Sequence, residues 1–232
     1  MLSLPSDFKA IILGYTGTIG NALFQNLSGL SACSEIIGLG RQSIPSLELT
    51  QESSIQRCAQ NLQARGPYHL IINAMGTLTV NGNPPEKRLQ DVYPECLQHA
   101  FAINAIGPLL VMKHFIKLLP RNERAIFATL SARVGSISDN HKGGWYGYRA
   151  SKAALNMFIQ NVAIEVTRLR PNIVFAAIQP GTVKSKLSAP YLGNQLTISD
   201  IESAQNILMV LDQLPAINRA HFIDHRGVPI EW

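Results

Sequence analysis

A tyrosine and a lysine lie one helical turn apart in the second half of the chain, as Tyr148 and Lys152. Residues at i and i+4 share one face of a helix, so both side chains should reach the same point. A Lys ammonium there can lower the pKa of a phenol from its usual ~10 toward working pH. Such a phenol can exchange a proton with the oxygen of a carbonyl or an alcohol. Alone the pair is a weak signal, since a half-exposed helix face gives the same pattern.

A glycine-rich turn follows the first apolar run and opens the first helical pattern, as Gly14-Tyr15-Thr16-Gly17-Thr18-Ile19-Gly20. Glycines there allow a tight turn and a close approach of the backbone to a pyrophosphate. The helix N-terminus adds free N–H groups that favour an anion. In this strand–turn–helix context, the whole turn is predicted to bind a dinucleotide.

The second apolar run ends in Gly38-Leu39-Gly40-Arg41. An acidic residue at this point would bond the adenosine ribose 2′-hydroxyl and repel a 2′-phosphate, whereas glycine followed by arginine does the opposite. The guanidinium of Arg41 can also hold a phosphate through two hydrogen bonds. We therefore predict that NADP(H) is the preferred cofactor, with NAD(H) as the alternative.

Short β-rich apolar runs alternate with helical patterns along the chain. Near-continuous apolar runs suit strands that are covered on both faces, hence a parallel sheet. The alternation implies right-handed crossovers, so we predict an α/β fold: a Rossmann-type doubly wound parallel sheet flanked by helices, as a single domain over residues 1–232. The predicted strands are 10–13, 35–39, 69–73, 125–129, 173–178 and 221–224, and the predicted helices are 18–27, 53–65, 89–119, 148–169 and 199–211.

The glycine-rich turn, the block from Ser131 to Lys152 and the pair Pro180-Gly181 together resemble the short-chain dehydrogenase/reductase family. The long loop before Tyr148 is similar to the C-factor-like, carbonyl-reductase-like branch. The glycine spacing GxxGxxG departs from the TGxxxGxG that is usual in the family and is commoner in its extended and atypical branches. The resemblance covers almost the whole chain, from about Lys9 onward.

The resemblance implies three further cofactor contacts. Leu47-Glu48-Leu49-Thr50 looks like the family's acidic–aliphatic pair beside the adenine, with Glu48 and Leu49 as that pair. Asn73-Ala74-Met75-Gly76 is similar to the family's Asn-Asn-Ala-Gly turn, although Ala74 and Met75 depart from it. Pro180-Gly181-Thr182-Val183 matches the Pro-Gly motif whose backbone contacts the nicotinamide amide.

Four side chains are then expected to act in catalysis. The resemblance implies that Tyr148 transfers the proton, that Lys152 lowers its pKa and binds the nicotinamide ribose, and that Asn104 anchors a water in the proton relay. Asn104 precedes Gly107-Pro108 in an apolar helix, which also predicts a kink or a break there.

The fourth catalytic candidate is a serine. Ser131 ends a strand and is followed by Ala-Arg-Val-Gly135, resembling the family's Ser-x-x-Gly. Its hydroxyl can donate to the substrate carbonyl oxygen and stabilise the charge that develops there. Ser136 and Ser138 are nearer to Tyr148 in the sequence and stay as alternatives.

Composition limits the other classes of function. The net charge is +5, but the Lys and Arg residues are scattered without a basic run, which argues against nucleic acid as a partner. Lys113, His114 and Lys117 interrupt the longest apolar stretch, and no signal peptide pattern opens the chain, so no membrane partner is expected. The three cysteines lie far apart with no metal-ligand spacing, so we predict no metal and a cytoplasmic location.

We therefore predict a cytoplasmic, NADP(H)-dependent oxidoreductase that reduces an aldehyde or a ketone to an alcohol, or catalyses the reverse. Its partner is a small-molecule carbonyl or alcohol. One alternative is an NAD(P)-binding regulatory or signalling protein of the same fold with little turnover; another is a nucleic-acid-binding Rossmann protein. The family resemblance and the long apolar helices favour a homodimer or homotetramer.

The segment at about 183–198, with Pro190, Tyr191 and Gly193, is predicted to be a substrate-covering loop. Trp145, Tyr146 and Tyr191 are candidates for an apolar substrate pocket, and core packing is the alternative role for these rings.

Overall fold

The sheet of this protein holds six parallel strands in the order β2-β1-β3-β4-β5-β6. The computed structural model describes residues 1–80, 82–185, 188–191 and 196–232. The strands are β1 (Phe8–Leu13), β2 (Cys33–Leu39), β3 (Leu70–Asn73), β4 (Ala125–Leu130), β5 (Ile173–Gln179) and β6 (His221–Asp224). All six predicted strands are confirmed, each to within two residues at either end.

Helices cover both faces of the sheet. They are α1 (Thr18–Ser28), α2 (Glu52–Gln63), α3 (Pro94–Phe101), α4 (Gly107–Phe115), α5 (Tyr146–Thr167) and α6 (Asp200–Gln213). Helices α1 and α6 pack on one face, where Phe8, Leu23 and Ile207 are buried. On the other face, α2, α4 and α5 cover a core that includes Phe115 and Phe127. The sheet and its two helical layers form the predicted α/β domain.

The chain runs from β1 outward to β2 and then returns to the opposite side of β1 at β3. In open α/β sheets, ligands bind in the crevice outside the carboxyl ends of the strands at such a switch point. Leu13 pairs with Asn73 at this end, and Asn73 pairs with Thr129 of β4. The crevice therefore opens above the residues that end β1, β3 and β4.

The long helix predicted at 89–119 is interrupted, but not by a break at Asn104. A 3₁₀ turn at Leu89–Asp91 stands apart, and α3 then continues through a π turn at Ala102–Ile106 into α4. The amide of Gly107 donates to the carbonyl of Ala102, five residues back. A Cβ on Gly107 would lie 2.7 Å from the Cβ of Leu49, so glycine lets the two segments touch. The predicted kink or break therefore takes the form of a π turn, which accommodates one extra residue within a continuous helical run.

The helical run Pro94–Leu118 is long and apolar enough, by length and composition alone, to cross a membrane. The interruption by Lys113, His114 and Lys117 therefore does not take this stretch below that threshold. In this fold the run places Val111, Met112 and Phe115 fully within the core beside the sheet. Burial of this kind is typical of a core helix.

Candidate active site

A continuous groove follows the carboxyl ends of the strands and consists of two adjoining cavities of about 360 and 470 Å³. The cavities share Thr16, Gly17 and the turn after β3. One end of the groove is bordered by Tyr148 and Lys152, and the other by Arg41. Most of the predicted site residues border it, namely Gly14, Thr16, Gly17, Thr18, Ile19, Gly20, Arg41, Glu48, Leu49, Ala74, Met75, Gly76, Ser131, Tyr148, Lys152 and Pro180.

The glycine-rich turn leaves the N-terminus of α1 open to the groove. Gly14 has a φ of +83°, and a Cβ there would lie 2.9 Å from Cγ of Met75. A Cβ on Gly20 would overlap the carbonyl of Gly14, so glycine lets α1 approach the turn. The first turn of α1 carries no acidic residue, and the N-cap Gly17 has no side chain to occupy its N–H groups. The turn therefore fits a pyrophosphate.

Tyr15 has a different place from the rest of the turn. A Cβ on Gly38 would lie 2.5 Å from the Tyr15 ring, and that ring also packs against Phe24 at a centroid distance of 5.6 Å. Its side chain therefore joins the turn to β2, and Tyr15 is not among the residues that border the groove.

The far end of the groove carries Arg41 and is roomy. Arg41 is exposed, and a Cβ on Gly40 would meet nothing within 4 Å. Arg41 also borders a neighbouring cavity of about 500 Å³ that is lined by Ser46, Ser54 and Arg57. Two guanidinium groups and the carboxylate of Glu48 thus border the space beside the groove, and the two guanidinium groups would attract an added phosphate.

The turn after β3 forms the floor of the groove. The amide of Ala74 donates to the carbonyl of Leu13 at 2.8 Å, and the amide of Met75 donates to Oδ1 of Asn73 at 3.1 Å. Asn73 therefore lies beneath the floor and shapes it. Its Nδ2, like Oγ1 of its strand neighbour Thr129, is buried without a hydrogen-bond partner among the described residues.

Tyr148 and Lys152 meet at the other end of the groove, both on the first turns of α5. Nζ of Lys152 donates to the carbonyl of Leu130 at 2.9 Å and lies 5.9 Å from the centroid of the Tyr148 ring. Burial lowers the pKa of Lys152 to about 8. Burial raises the pKa of the Tyr148 phenol to about 12, so in this arrangement desolvation outweighs the expected lowering by the ammonium. The ammonium is held near the ring by Leu130, and desolvation of the phenol dominates.

Asn104 lies in the π turn, fully buried behind the floor of the groove. Its Oδ1 accepts from the amide of Thr77 and its Nδ2 donates to the carbonyl of Thr77, both at 2.8 Å. The side chain therefore holds the floor in place. Pro108, four residues later, has no N–H to donate to the Asn104 carbonyl.

Ser131 is the one candidate serine that borders the groove. Its Oγ donates to Oδ1 of Asn156 at 2.6 Å. Oγ of Ser136 accepts from the amide of Asp139, and Oγ of Ser138 donates to the carbonyl of Trp232. Among the described residues, both alternative serines therefore belong to the loop after β4 and not to the groove.

The segment after β5 supplies one wall. Pro180 borders the groove, and its carbonyl accepts from Oγ of Ser203 at 2.6 Å. The other three motif residues lie behind it: Gly181 packs against Ile198, the carbonyl of Thr182 accepts from the Ile198 amide at 3.0 Å, and Val183 bridges to Ile198. Within the predicted loop 183–198, residues 186–187 and 192–195, with Gly193 among them, lie outside the described residues.

A further cavity of about 360 Å³ lies against Tyr148 and was not predicted. Its lining is mostly apolar, and the residues that form it come chiefly from the long segment after β3: Thr77, Leu78, Val80, Asn83, Pro84, Pro85, Glu86, Lys87, Asp91, Tyr93, Cys96, Ala100, Gly147 and Tyr148. In the sequence, Pro84-Pro85 indicates only a break between the predicted strand at 69–73 and the predicted helix at 89–119.

The three aromatic candidates do not line this cavity. Trp145 packs edge-on against Tyr148 at 6.1 Å and against Tyr191 at 5.7 Å between ring centroids. Tyr146 is exposed. Trp145 is also the N-cap of α5, with a positive φ of 52°, so it fixes the start of the helix that carries Tyr148.

Comparison with known proteins identifies the family. A family model described as enoyl-(acyl carrier protein) reductase matches residues 25–214, well over half of the chain. Short-chain dehydrogenase RED3 of Pyricularia oryzae is 32% identical over 146 residues, which is 60% of this chain and 55% of that protein. The chain belongs to the short-chain dehydrogenase/reductase family. As a short-chain dehydrogenase/reductase, it is an oxidoreductase.

This short-chain dehydrogenase/reductase is also similar to the C-signal of Myxococcus xanthus, at 33% identity over 72% of this chain and 94% of that protein. Solved structures share its fold. The NADPH-bound carbonyl reductase from chicken fatty liver superposes with a TM-score of 0.85 at 22% identity, covering 99% of this chain and 96% of that one. An NADP-bound short-chain dehydrogenase/reductase from Burkholderia multivorans gives 0.82 at 22% identity, covering 97% and 100%.

Proposed function

We propose that this reductase uses NADP(H) to interconvert an apolar aldehyde or ketone and its alcohol. The observation that carries the proposal is the position of Tyr148, which borders both the groove and the apolar cavity. A dinucleotide laid along the groove and a carbonyl compound in the cavity would meet at this phenol. The NADPH and NADP in the two structures of the same fold support the choice of cofactor.

The groove residues fit such a cofactor. The open N-terminus of α1 would hold the pyrophosphate, and Arg41 would hold a 2′-phosphate at the exposed end. When bound, the nicotinamide supplies the hydride, or accepts it in the reverse reaction.

Tyr148 and Lys152 would move the proton. A phenol with a pKa of about 12 is protonated at neutral pH, so in reduction Tyr148 starts in the acid form that must donate to the carbonyl oxygen. Negative charge then develops on the phenol oxygen. The ammonium of Lys152 near the ring favours that charge, and Asn104 keeps the floor beside both groups in place.

NADPH-driven reduction is expected to fall as the pH rises through about 8. Below that pH, Lys152 is mostly an ammonium; above it, Lys152 is mostly neutral and no longer stabilises charge on Tyr148, which itself stays protonated. Initial rates at saturating substrates between about pH 6 and 10 should be flat at first and then drop roughly tenfold per unit. Lys152→Arg, which keeps its charge, should move the drop to higher pH. A drop at the same pH in both proteins would contradict the assignment.

Ala100→Phe is expected to block the apolar cavity without disturbing the groove. Ala100 is buried on α3, and its side chain borders the cavity but not the groove. The KM for an apolar ketone should rise at least about tenfold because the added ring takes up space that the substrate needs. NADPH affinity, measured by fluorescence titration, should stay the same. Ala64→Phe, at an exposed position beyond α2, is the matched control; equal KM values for both variants would remove the cavity from the reaction.

A second candidate function is a cofactor-binding signalling protein with little turnover, favoured by the likeness to a protein named C-signal. An NADPH-consumption assay over aldehydes, ketones and quinones separates the two. Turnover of any of these compounds at enzyme-like rates supports the reductase, whereas tight NADPH binding with no turnover across the panel supports the signalling protein.

A further inference from the structure

We propose that Ser131 is not the donor to the substrate oxygen in this reductase: its hydroxyl is held by Asn156, and the substrate-facing position after β4 is occupied by Ala132. The proposal rests on the proposed function, because it concerns the same proton-transfer site. It differs from the expectation for the family motif, which assigns the donor role to the serine.

The first argument concerns the single proton of the Ser131 hydroxyl. Oγ of Ser131 donates it to Oδ1 of Asn156 at 2.6 Å, and the two side chains are 4% and 3% exposed. The orientation of the Asn156 amide is set by the carbonyl of Gly135, which faces Nδ2 at 3.5 Å. If the Asn156 amide were turned round, its Oδ1 would face the carbonyl oxygen of Gly135, and two acceptors would lie against each other. Ser131 therefore has lone pairs but no proton to offer, unless a buried hydrogen bond is broken first.

The second argument concerns the direction of the side chains. The amide of Ser131 donates to the carbonyl of Ile178 at 2.8 Å, so the extended chain of β4 continues past Leu130. Ala132 is also extended, with φ −154° and ψ 146°. Successive side chains alternate along such a chain, so Cβ of Ala132 returns to the side of Leu130. Leu130 borders the groove near Tyr148, and Ala132 is partly exposed whereas Ser131 is buried, so Ala132 is the side chain that a molecule bound beyond the end of β4 can reach.

The third argument concerns the register of the motif. Gly135 is fixed as the glycine of the turn, because a Cβ there would lie 2.9 Å from both C and Cβ of Lys152. In a Ser-x-x-Gly turn the serine stands three residues before the glycine, and in this chain that residue is Ala132. Ser131 stands four residues before it. The spacing of the motif and the hydrogen bond of Ser131 thus both indicate that Ala132 holds the serine position of the motif.

The chemical consequence is that the substrate oxygen lacks the second hydroxyl that the motif would supply, and Tyr148 both polarises and protonates it. Asn156 becomes a positioning residue, since it ties the end of β4 and the turn at Gly135 to α5. The missing donor should limit the chemical step and leave cofactor binding untouched.

Ala132→Ser tests the proposal by restoring the hydroxyl. The variant should raise kcat for the best carbonyl substrate about tenfold, since one donor to a developing oxyanion has at least this effect. NADPH affinity and the melting temperature should stay close to those of the wild type. Ala132→Cys adds a side chain close in size to that of serine but with only a weak donor, so as the control it should raise kcat much less than Ala132→Ser does. An unchanged or lower kcat for Ala132→Ser would overturn the proposal.

Ser131→Ala tests the second part of the proposal, that Ser131 is not the donor to the substrate oxygen. We expect kcat to stay within about threefold of the wild type while the melting temperature falls, because Asn156 is left with an unpaired buried acceptor. A hundredfold loss of kcat at an unchanged melting temperature would instead make Ser131 the donor. If this variant does not fold, Ala132→Ser alone decides. Tyr148→Phe, measured in parallel, distinguishes failure of this proposal from failure of the proposed function. If Tyr148→Phe keeps full turnover, the proposed function fails, whatever the serine variants show.

Discussion

Tyr148→Phe is expected to lower turnover at least about a hundredfold, which is the usual scale of general acid catalysis. The substitution removes the phenol oxygen and leaves the ring, which packs against Trp145 and near the Lys152 ammonium. Stability and NADPH affinity should therefore remain near those of the wild type. The measurement is kcat on the best substrate, together with an NADPH titration and a melting curve.

Tyr146→Phe is the matched control for this experiment. Tyr146 precedes the pair by two residues on the same helix, and its side chain is exposed. This variant should keep full turnover. Equal kcat values for the two Phe variants would remove Tyr148 from the proton transfer.

Arg41→Ala is expected to weaken NADPH binding roughly tenfold to a hundredfold, because a charge-assisted hydrogen bond contributes about 1.5–3 kcal/mol. NADH has no 2′-phosphate, so its affinity should barely change. Arg121→Ala, at an exposed arginine that does not border the groove, is the control. Titration of both cofactors into the three proteins gives the result. Equal losses for NADPH and NADH would make Arg41 a structural residue, and a wild type that prefers NADH would contradict the NADP(H) prediction.

Gly40→Asp tests the same cofactor preference by adding a negative charge beside Arg41 instead of removing a positive one. A Cβ at this position meets nothing within 4 Å, so the new carboxylate fits without a clash. It should repel the 2′-phosphate and offer the ribose hydroxyls an acceptor. The ratio of NADH to NADPH affinity should therefore rise further than in Arg41→Ala. A ratio that stays at the wild-type value would place the 2′-phosphate elsewhere.

The fold could be predicted because the apolar strand patterns and their alternation with helical patterns both indicate the same parallel sheet. Buried strands such as β4 are apolar at nearly every residue, and that pattern is typical of a parallel sheet with helices on both faces. The glycine-rich turn was also readable, since Gly14 and Gly20 are needed for close backbone approach. Family membership followed from the same residues.

What the sequence did not predict depends on three-dimensional neighbours. Burial raises the pKa of Tyr148, and the spacing between Tyr148 and Lys152 in the sequence does not show how deeply the phenol is buried. The apolar cavity is formed by a loop whose residues carry no periodic pattern. The hydrogen bond between Ser131 and Asn156 joins positions 25 residues apart, so no motif could show it. The roles of the individual site residues, the homodimer or homotetramer and the cytoplasmic location stay predictions.

The π turn at Ala102–Ile106 has an evolutionary consequence. One residue added to a regular α-helix rotates everything after it by about 100°, which would turn a buried face toward solvent. A π turn takes up the extra residue locally, so Val111 and Phe115 of α4 still face the core. Asn104 lies within this π turn and contacts Thr77 from there. A lineage that lost one residue here would have to give up either the Asn104 contact with Thr77 or the packing of α4, so the length of this helix should be inherited as a unit.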